Sequence, residues 1–479
     1  MARRIQTRLL PVILLWLLAG CAINPVTGKR ELVLMSPERE AQVGAQTAAQ
    51  VAEEMGLVES PALTAYLEEI GQRLARHSPR RDVVYRFAVV DMKEPNAFAL
   101  PGGYIYVSRG LLAIANSEAE LANVVGHEIG HVAARHSAQR ETRAIGAGVL
   151  AALGTAVAGA VGGSGAAEGA AQIGQVAGAG WIASYGRDQE RQADDVGQKL
   201  AAQAGWDPAA MARFLNTLGR AAELETGEKR QPSFLDSHPM TSERVRNTAL
   251  RAEALQVTPA APIAGTRTAF YSRLANLLIG PDPAEGFFRD QRFLHPGLDF
   301  ALDFPPGWKT QNARNAVAAQ TPGGDAALVL QTQGESGDPK KAAQLFAEGN
   351  QIQLGKGKRE RIGGFAAYRT RVELQTQQGP AVSDLTWIAH PRATFRLLGI
   401  SPSGRFGDYA GTFRDAARSF RPLTRSERKG ITERRLRVVK ARGGESLAAL
   451  SRRTGNAWSL DETAVANDRP IEGRLRVGE

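Results

Sequence analysis

The residues best suited to metal chemistry lie in one short stretch, NVVGHEIGHVAARH, at residues 123–136. It holds three of the seven histidines of the 479-residue chain, and His127 and His131 lie four positions apart. Residues four apart on an α-helix project from the same side, so both imidazoles can reach one zinc ion. Glu128 is then placed to act as general base on a water that the metal activates. The H-E-x-x-H pattern therefore predicts a hydrolytic zinc site.

The surrounding sequence predicts the helix that this motif needs. Ser117 with Glu120 three residues later is a capping-box start. Apolar residues then recur at helical spacing, namely Leu121, Val124, Val125, Ile129 and Val132. Gly126 and Gly130 each weaken a helix by ~1 kcal/mol relative to alanine. We therefore expect them to let another backbone come close.

A catalytic zinc site needs a third protein ligand, which a second helix can supply. In RDQERQADDVG, residues 187–197, Glu190 and Asp194 are again four positions apart. We expect Glu190 to enter the metal shell and Asp194 to hydrogen-bond a ligand or brace the two helices. His136 follows His127 by nine residues, about half a turn out of phase, and we do not expect it to be a ligand.

Five segments resemble the M48 family of metallopeptidases, in particular its periplasmic lipoprotein members. They fall within residues 21–250 and read NPVTGKRELVLMS, EPNAFALPGGYIYVSRGLL, SEAELANVVGHEIGHVAARH, RDQERQADDVG and SHPMTSERV. The resemblance implies a mainly helical, zincin-type peptidase domain of the gluzincin class with one Zn²⁺. It also implies that His127, His131 and Glu190 are the metal ligands and that Glu128 is the general base.

The same resemblance implies a substrate-binding strand. GGYIYVS, residues 102–108, alternates like an edge strand, and in the family such a strand pairs with the substrate backbone. Gly103, Tyr104, Ile105 and Tyr106 would then bind an extended, unfolded peptide by strand addition. The alternative is a plain core strand.

His238 and Arg244 are assigned from the same family motif, SHPMTSERV. The resemblance implies a catalytic role for His238 near the metal, where it would stabilise the oxyanion or occupy the open metal position as a latch. A buried structural histidine is the alternative. Arg244 would pair with an acidic group such as Asp194.

Residues 1–20 are predicted to be a lipoprotein signal peptide. The basic start MARRIQTR precedes the apolar run LLPVILLWLLAG, which is short for a membrane span. LAGC resembles the bacterial lipoprotein signal, which implies lipidation of Cys21, the only cysteine. Alanine rather than aspartate follows, so we expect an outer-membrane anchor facing the periplasm. An uncleaved anchor or a plain signal peptide is the alternative.

Residues 144–185 form a small-residue insert between the two metal motifs, with Glu168 as its one charged side chain. Its glycines recur every few residues, which argues against a membrane-spanning helix. Three interpretations remain: a helical hairpin packed in the protein, a lid over the active site, or a membrane-contacting surface.

The expected fold is α+β and multidomain. The peptidase domain occupies residues 21–255 and a linker with a helix occupies 256–292. Residues 293–424 alternate strand-like and helix-like runs and resemble the small α+β fold of the PsbP type. Residues 425–479 comprise a basic linker and a LysM-like module, which would bind glycan or serve as a folding cap.

These features favour a zinc endopeptidase of the bacterial envelope that cleaves misfolded or unassembled proteins. The alternative is a non-catalytic envelope chaperone or adaptor that holds cell wall or partner proteins. Export argues against a nucleic-acid partner despite the formal charge of +10. Residues 421–442, with nine basic and two acidic side chains, would instead contact an anionic envelope surface such as peptidoglycan, or form a solvated linker.

Overall fold

The computed structural model describes residues 21–145, 185–224, 234–239, 242–314, 316–335, 337–376 and 379–479. The chain divides into one compact unit of Met1–Ala52, Gly56–Leu277 and Arg435–Glu479, and a second of Glu53–Met55 and Leu278–Arg434. Helices and strands are mixed, which confirms the α+β, multidomain class. The predicted signal peptide and residues 146–184 of the insert lie outside the described residues. Among the described helices, none combines the length and apolar character that crossing a bilayer requires.

The N-terminal half of the chain is mainly helical. Its elements are β1 (Cys21–Ile23), β2 (Arg30–Leu32), α1 (Pro37–Glu54), α2 (Pro61–Ala75), β3 (Arg86–Val90), β4 (Ala97–Leu100), β5 (Tyr104–Ser108), α3 (Arg109–Ile114), α4 (Glu118–Ala133), α5 (Arg187–Gln203), α6 (Ala210–Leu224), α7 (Phe234–Ser237), α8 (Ser242–Ala254) and α9 (Arg267–Leu274). The apolar face of α4 is fully buried in the core of the first unit. Burial of this face positions the metal motif.

The prediction of an edge strand at Gly103–Tyr106 is wrong. The small sheet has the order β3-β5-β4, so β5 is its central strand, parallel to β3 and antiparallel to β4. Tyr104, Ile105 and Tyr106 are therefore bonded to a strand on each side, and Gly103 belongs to the turn before β5. A strand paired on both sides cannot add a substrate strand. Every residue from Ile105 to Ser108 is buried, so the alternation in the sequence indicates neither an exposed face nor a free edge.

The start of α4 follows the predicted capping pattern with one difference. The Ser117 side chain is the N-cap and accepts a hydrogen bond from the Glu120 backbone N–H at 3.2 Å. The Glu120 carboxylate accepts from the Asn116 backbone N–H at 2.8 Å, one residue before the N-cap. The first interaction satisfies an amide group that the first helical turn leaves unbonded, and the second fixes the residue before the N-cap.

Glycines allow α4 and α5 to touch through their backbones. A Cβ atom on Gly126 would lie 2.9 Å from the carbonyl oxygen of Gly197, and one on Gly130 would lie 2.9 Å from that of Ala193. From the other side, a Cβ on Gly197 would lie 2.6 Å from the backbone nitrogen of His127. The expectation that the motif glycines admit another backbone is confirmed.

The second unit is built on a large antiparallel sheet. Its elements are β6 (Leu278–Ile279), β7 (Phe287–Arg289), β8 (Arg292–His295), β9 (Phe300–Asp303), β10 (Lys309–Ala313), β11 (Ala316–Gln320), β12 (Ala327–Thr332), α10 (Pro339–Asn350), β13 (Lys358–Ile362), β14 (Phe365–Thr376), β15 (Gly379–His390), β16 (Ala393–Pro402), α11 (Phe406–Ser419) and α12 (Arg425–Lys429). The short strand β17 (Arg434–Arg435) follows, and its second residue belongs to the first unit. The seven-stranded sheet has the order β10-β11-β12-β16-β15-β14-β13. Trp387 packs with Ala343 of α10, whereas Ile388 packs with Phe413 of α11. Because neighbouring strand residues face opposite sides, the two helices cover opposite faces.

The C-terminal segment belongs to the first unit. It contains α13 (Leu447–Thr454) and α14 (Leu460–Ala466), which share a small core of Ala441, Leu447, Ala464 and Leu475. Asp468 pairs with Arg220 of α6 at 3.1 Å. The segment therefore has its own core and a polar contact with the helices of the first unit.

Candidate metal site

Four side chains in the first unit direct metal-binding atoms at one point. One ligand atom from each of His127, His131, Glu190 and His238 lies within 4.8 Å of the others. The Nε2 atoms of His127 and His131 are 3.0 Å apart, and Oε1 of Glu190 is 3.4 Å from Nε2 of His131. All four residues are buried. Two nitrogens and one carboxylate oxygen converge from two helices, and His238 adds a third imidazole.

His238 is held in place by the short helix α7. The backbone N–H of Phe234 donates to the carbonyl of Pro95 at 2.9 Å, and that of His238 donates to the carbonyl of Phe234 at 2.7 Å. The His238 ring stacks on the Phe234 ring with 4.2 Å between centroids. Its Nδ1 atom then lies 2.9 Å from Oε1 of Glu190 and 3.2 Å from Nε2 of His127.

Asp194 and Arg244 form a charged layer behind His127 and Glu190. Oδ1 of Asp194 is 2.9 Å from Nδ1 of His127, so the carboxylate can accept a hydrogen bond from Nδ1–H and leave the lone pair of Nε2 free. Arg244 donates to both oxygens of Asp194, at 2.7 and 2.8 Å. Its Nη1 atom lies 2.7 Å from Oε2 of Glu190. One buried guanidinium thus braces two acidic groups on α5.

Two aromatic rings that the sequence did not single out as site residues contact His131. The ring of Tyr185 stacks on it with 3.8 Å between centroids and 19° between planes. The second ring is that of His136, whose Nδ1 lies 2.8 Å from Nδ1 of His131. Nε2 of His136 is 2.7 Å from Oε1 of Gln192. Tyr185 lies just before α5 and has no periodic relation to His131, so no spacing rule identifies it.

Burial and neighbouring charges set the protonation of the group. Burial raises the pKa of Glu128, and His238 and His127 oppose this only partly. Burial lowers the pKa of His131 well below its usual value. Burial also disfavours ionised Glu190, but His238 and His131 outweigh it and hold the pKa of Glu190 well below its usual value. A neutral imidazole and an ionised carboxylate are the forms that bind metals.

The buried polar atoms at this point fit a bound cation. In the described part of the chain, neither carboxylate oxygen of Glu128 has a hydrogen-bond partner, and neither does Nε2 of His238. Those atoms are 3.4 Å apart at their nearest. Buried polar groups are normally satisfied, so an unpaired carboxylate beside convergent lone pairs marks a place for a cation and water. Imidazole and carboxylate donors suit zinc.

The structure brings most of the predicted site residues together. Glu128, Asp194 and Arg244 contact the four residues whose ligand atoms converge, namely His127, His131, Glu190 and His238. Tyr104, Ile105 and Tyr106 lie in the central strand β5 and Gly103 lies in the turn before it, all outside this group. Cys21 is the first residue of β1 and pairs in register with Leu32.

Comparison with known proteins gives the family. The model of peptidase family M48 matches residues 61–252. The beta-barrel assembly-enhancing protease of Escherichia coli (strain K12) is 30% identical over 227 residues, 46% of this chain and 45% of that protein. Metalloprotease LoiP of the same strain is 31% identical over 195 residues, 39% of this chain and 71% of LoiP. The chain belongs to peptidase family M48, which confirms the resemblance.

The relatives and the structural neighbours match only part of the chain. The chain spans about half the length of the first of these relatives, 45%. Cyanobacterial PsbP from Synechocystis sp. PCC 6803 covers 28% of this chain and 92% of its own at 14% identity, with a TM-score of 0.23. The PsbP-like and LysM-like assignments stay predictions.

Proposed function

We propose that this chain is a zinc-dependent endopeptidase of the bacterial envelope that hydrolyses peptide bonds of misfolded or unassembled proteins. The observation that carries the proposal is the convergence of His127, His131 and Glu190 beside the fully buried Glu128. The names of its relatives, which include a metalloprotease, support the class of activity. The envelope assignment follows from the predicted signal and the E. coli protease similarity.

The chemistry is divided between the metal and the chain. His127, His131 and Glu190 would hold the zinc ion, which would supply Lewis acidity toward a scissile carbonyl and a water molecule. Glu128 accepts the proton of the attacking water and passes it to the departing amine nitrogen. Its burial and raised pKa suit a group that must hold that proton between the two transfers.

His238 is proposed to act as a latch. Its Nδ1 atom already lies among the ligand atoms, 2.9 Å from Glu190 and 3.2 Å from His127, where a substrate or water would have to bind. Rotation of this ring away from the ligand group would free the position. The same ring could then donate a hydrogen bond to the oxyanion from its edge.

The test of catalysis is a single isosteric substitution. Glu128→Gln preserves the metal ligands and the side-chain volume but cannot accept the proton of water. We expect the variant to retain zinc and to lose casein cleavage at least 100-fold. Parental turnover in the zinc-loaded variant would reject the assignment. A wild type that binds cell-wall sacculi but neither zinc nor casein would favour the adaptor function instead.

A lipid anchor at Cys21 is proposed to hold the protein at the outer membrane, facing the periplasm. The β1-β2 hairpin that begins at Cys21 supports this, because Ile23, Leu32 and Leu34 are 62%, 46% and 51% exposed. Val33, between two of them, is buried. The anchor therefore leads directly into a hairpin with an exposed apolar surface. Cys21→Ala should release the protein from membranes, and a membrane-bound variant would contradict lipid anchoring.

The remaining partners are proposals of the same kind. Unfolded or misassembled envelope proteins are the proposed substrates, and nucleic acid is not a proposed partner. For the LysM-like segment, the contact between Asp468 and Arg220 favours a folding cap on the first unit over an independent glycan-binding module. Binding of the full chain to peptidoglycan sacculi, reduced by substitutions in residues 442–479, would reverse that preference.

A further inference from the structure

A break in the helix after Ala133 places His136 next to the metal ligand His131. The helix α4 ends at Ala133, and Arg135 adopts a left-handed backbone conformation with φ 58° before a second helical stretch at residues 136–145. Arg135 is fixed by Glu40 at 2.7 Å and by the carbonyl of Met35 at 2.6 Å. This break cancels the half-turn offset that a continuous helix would give His136. Its ring is fully buried against His131.

The hydrogen bonds of His136 define where its protons lie. Oε1 of Gln192 is an acceptor 2.7 Å from Nε2 of His136, so Nε2 carries a proton and donates it. Nδ1 of His136 faces Nδ1 of His131 at 2.8 Å, a distance that requires one shared proton between the two nitrogens. A proton on His131 Nδ1 leaves its Nε2, which faces the ligand group, with a lone pair.

We propose that His136, oriented by Gln192, is a positioning residue that keeps the proton of His131 on Nδ1 and thereby keeps Nε2 available to the metal. The inference rests on the proposed zinc site, and it concerns how that site is prepared. It assigns a role to a histidine whose spacing excluded it as a ligand. The order of donation runs from His131 to His136 to Gln192.

The two ligand histidines are thus oriented by different chemistry. His127 donates to the carboxylate of Asp194 at 2.9 Å, whereas His131 donates to a neutral imidazole. Glu128, Glu190 and Asp194 already place three acidic side chains in this buried region. A neutral acceptor behind His131 fixes the ring without adding a fourth negative charge.

Zinc affinity measured by competition with a chelator tests the proposal without relying on activity. His136→Phe keeps a ring of similar size but removes the acceptor, and we expect zinc to bind roughly 10- to 100-fold more weakly. His136→Asn offers an amide oxygen to His131 and should recover part of the loss. Gln192→Leu removes only the outer acceptor and should give a smaller decrease. Gln192→Leu also provides the test of zinc affinity if His136→Phe does not fold.

A matched control separates positioning from general destabilisation. Gln198 lies on the same helix, is buried, and donates to the carbonyls of Pro208 and Thr248 instead of to an imidazole. Gln198→Leu should lower the unfolding temperature but leave the zinc dissociation constant within about twofold of the parent. A purely structural role for His136 predicts the same pattern for His136→Phe.

A spectroscopic measurement reports the proton itself. In the cobalt(II)-substituted protein, the exchangeable ring N–H protons of His127 and His131 should each give a hyperfine-shifted signal, and His136→Phe should speed the solvent exchange of one of them. The inference is overturned if the wild-type protein binds zinc and if both His136→Phe and Gln192→Leu leave the zinc affinity and the solvent exchange of the ring N–H protons unchanged. Wild-type protein that binds no zinc overturns the proposed function instead.

Discussion

Replacing Gly197 by alanine perturbs the metal site through the backbone. The added Cβ would lie 2.6 Å from the His127 nitrogen and 2.9 Å from its Cα atom. Since an ordinary contact needs at least 3.4 Å, α4 and α5 must separate by nearly 1 Å. Overpacking of this kind costs about 1 to 3 kcal/mol, against a gain of about 1 kcal/mol in helix propensity. We expect a net loss in stability of up to about 2 kcal/mol.

The loss in zinc affinity should exceed the loss in stability. His127 and His131 lie on α4 and Glu190 lies on α5, so separation of the helices moves the ligand atoms apart. Metal–ligand distances tolerate only about 0.2 Å. Urea unfolding and chelator competition measure the two effects on the same preparation. Gly349→Ala is the matched control, because Gly349 lies in α10 with open space around its Cβ position, and alanine should be stabilising there.

Alanine should have opposite effects on stability at Gly197 and Gly349. If Gly197→Ala is at least as stable as the parent and binds zinc equally well, the close approach of α4 and α5 does not position the site. If Gly349→Ala is the more destabilising of the two, the propensity calculation is wrong.

Two further predictions concern buried charge. Arg244→Met should destabilise the metal-free protein by about 3 to 5 kcal/mol in urea unfolding, because Asp194 and Glu190 lose their cation in a buried site. Arg191→Met, which breaks an exposed ion pair, should change stability by less than about 1 kcal/mol, and equal losses would refute the reasoning. Burial raises the pKa of Glu120 to about 7, so folding favours the protonated carboxyl group. The stability that the protonated group contributes is lost as pH rises from about 4.5 to 7. Glu120→Gln cannot ionise and should exceed the parent in stability at pH 8 by up to about 3 kcal/mol, with no difference near pH 4; equal pH profiles would contradict this.

Local patterns were enough to predict the catalytic helix. Ser117 caps α4, and the four-residue spacing of His127 and His131 places both rings on one side, because helix geometry follows from sequence spacing alone. Gly126 and Gly130 had no local explanation, and they correctly indicated a close neighbour.

Features that depend on strand order, on a left-handed backbone residue or on helix packing could not be predicted in the same way. Tyr104–Ser108 alternates as an outer strand would, yet β3 and β4 flank it on both sides. The offset of His136 was estimated for a straight helix, and the left-handed conformation of Arg135 changes it. Tyr185 reaches His131 only because α5 packs against α4. Each case turns on tertiary geometry that spacing does not encode.

The zinc content of purified protein tests the central claim most directly. Elemental analysis should find about one zinc per chain in the wild type. Glu190→Gln, which keeps the side-chain volume but removes the anionic ligand, should lose most of the metal after dialysis, whereas Glu243→Gln, an exposed acid on α8, should retain it. Wild-type protein without zinc, or full zinc retention at unchanged affinity in Glu190→Gln, would contradict the account.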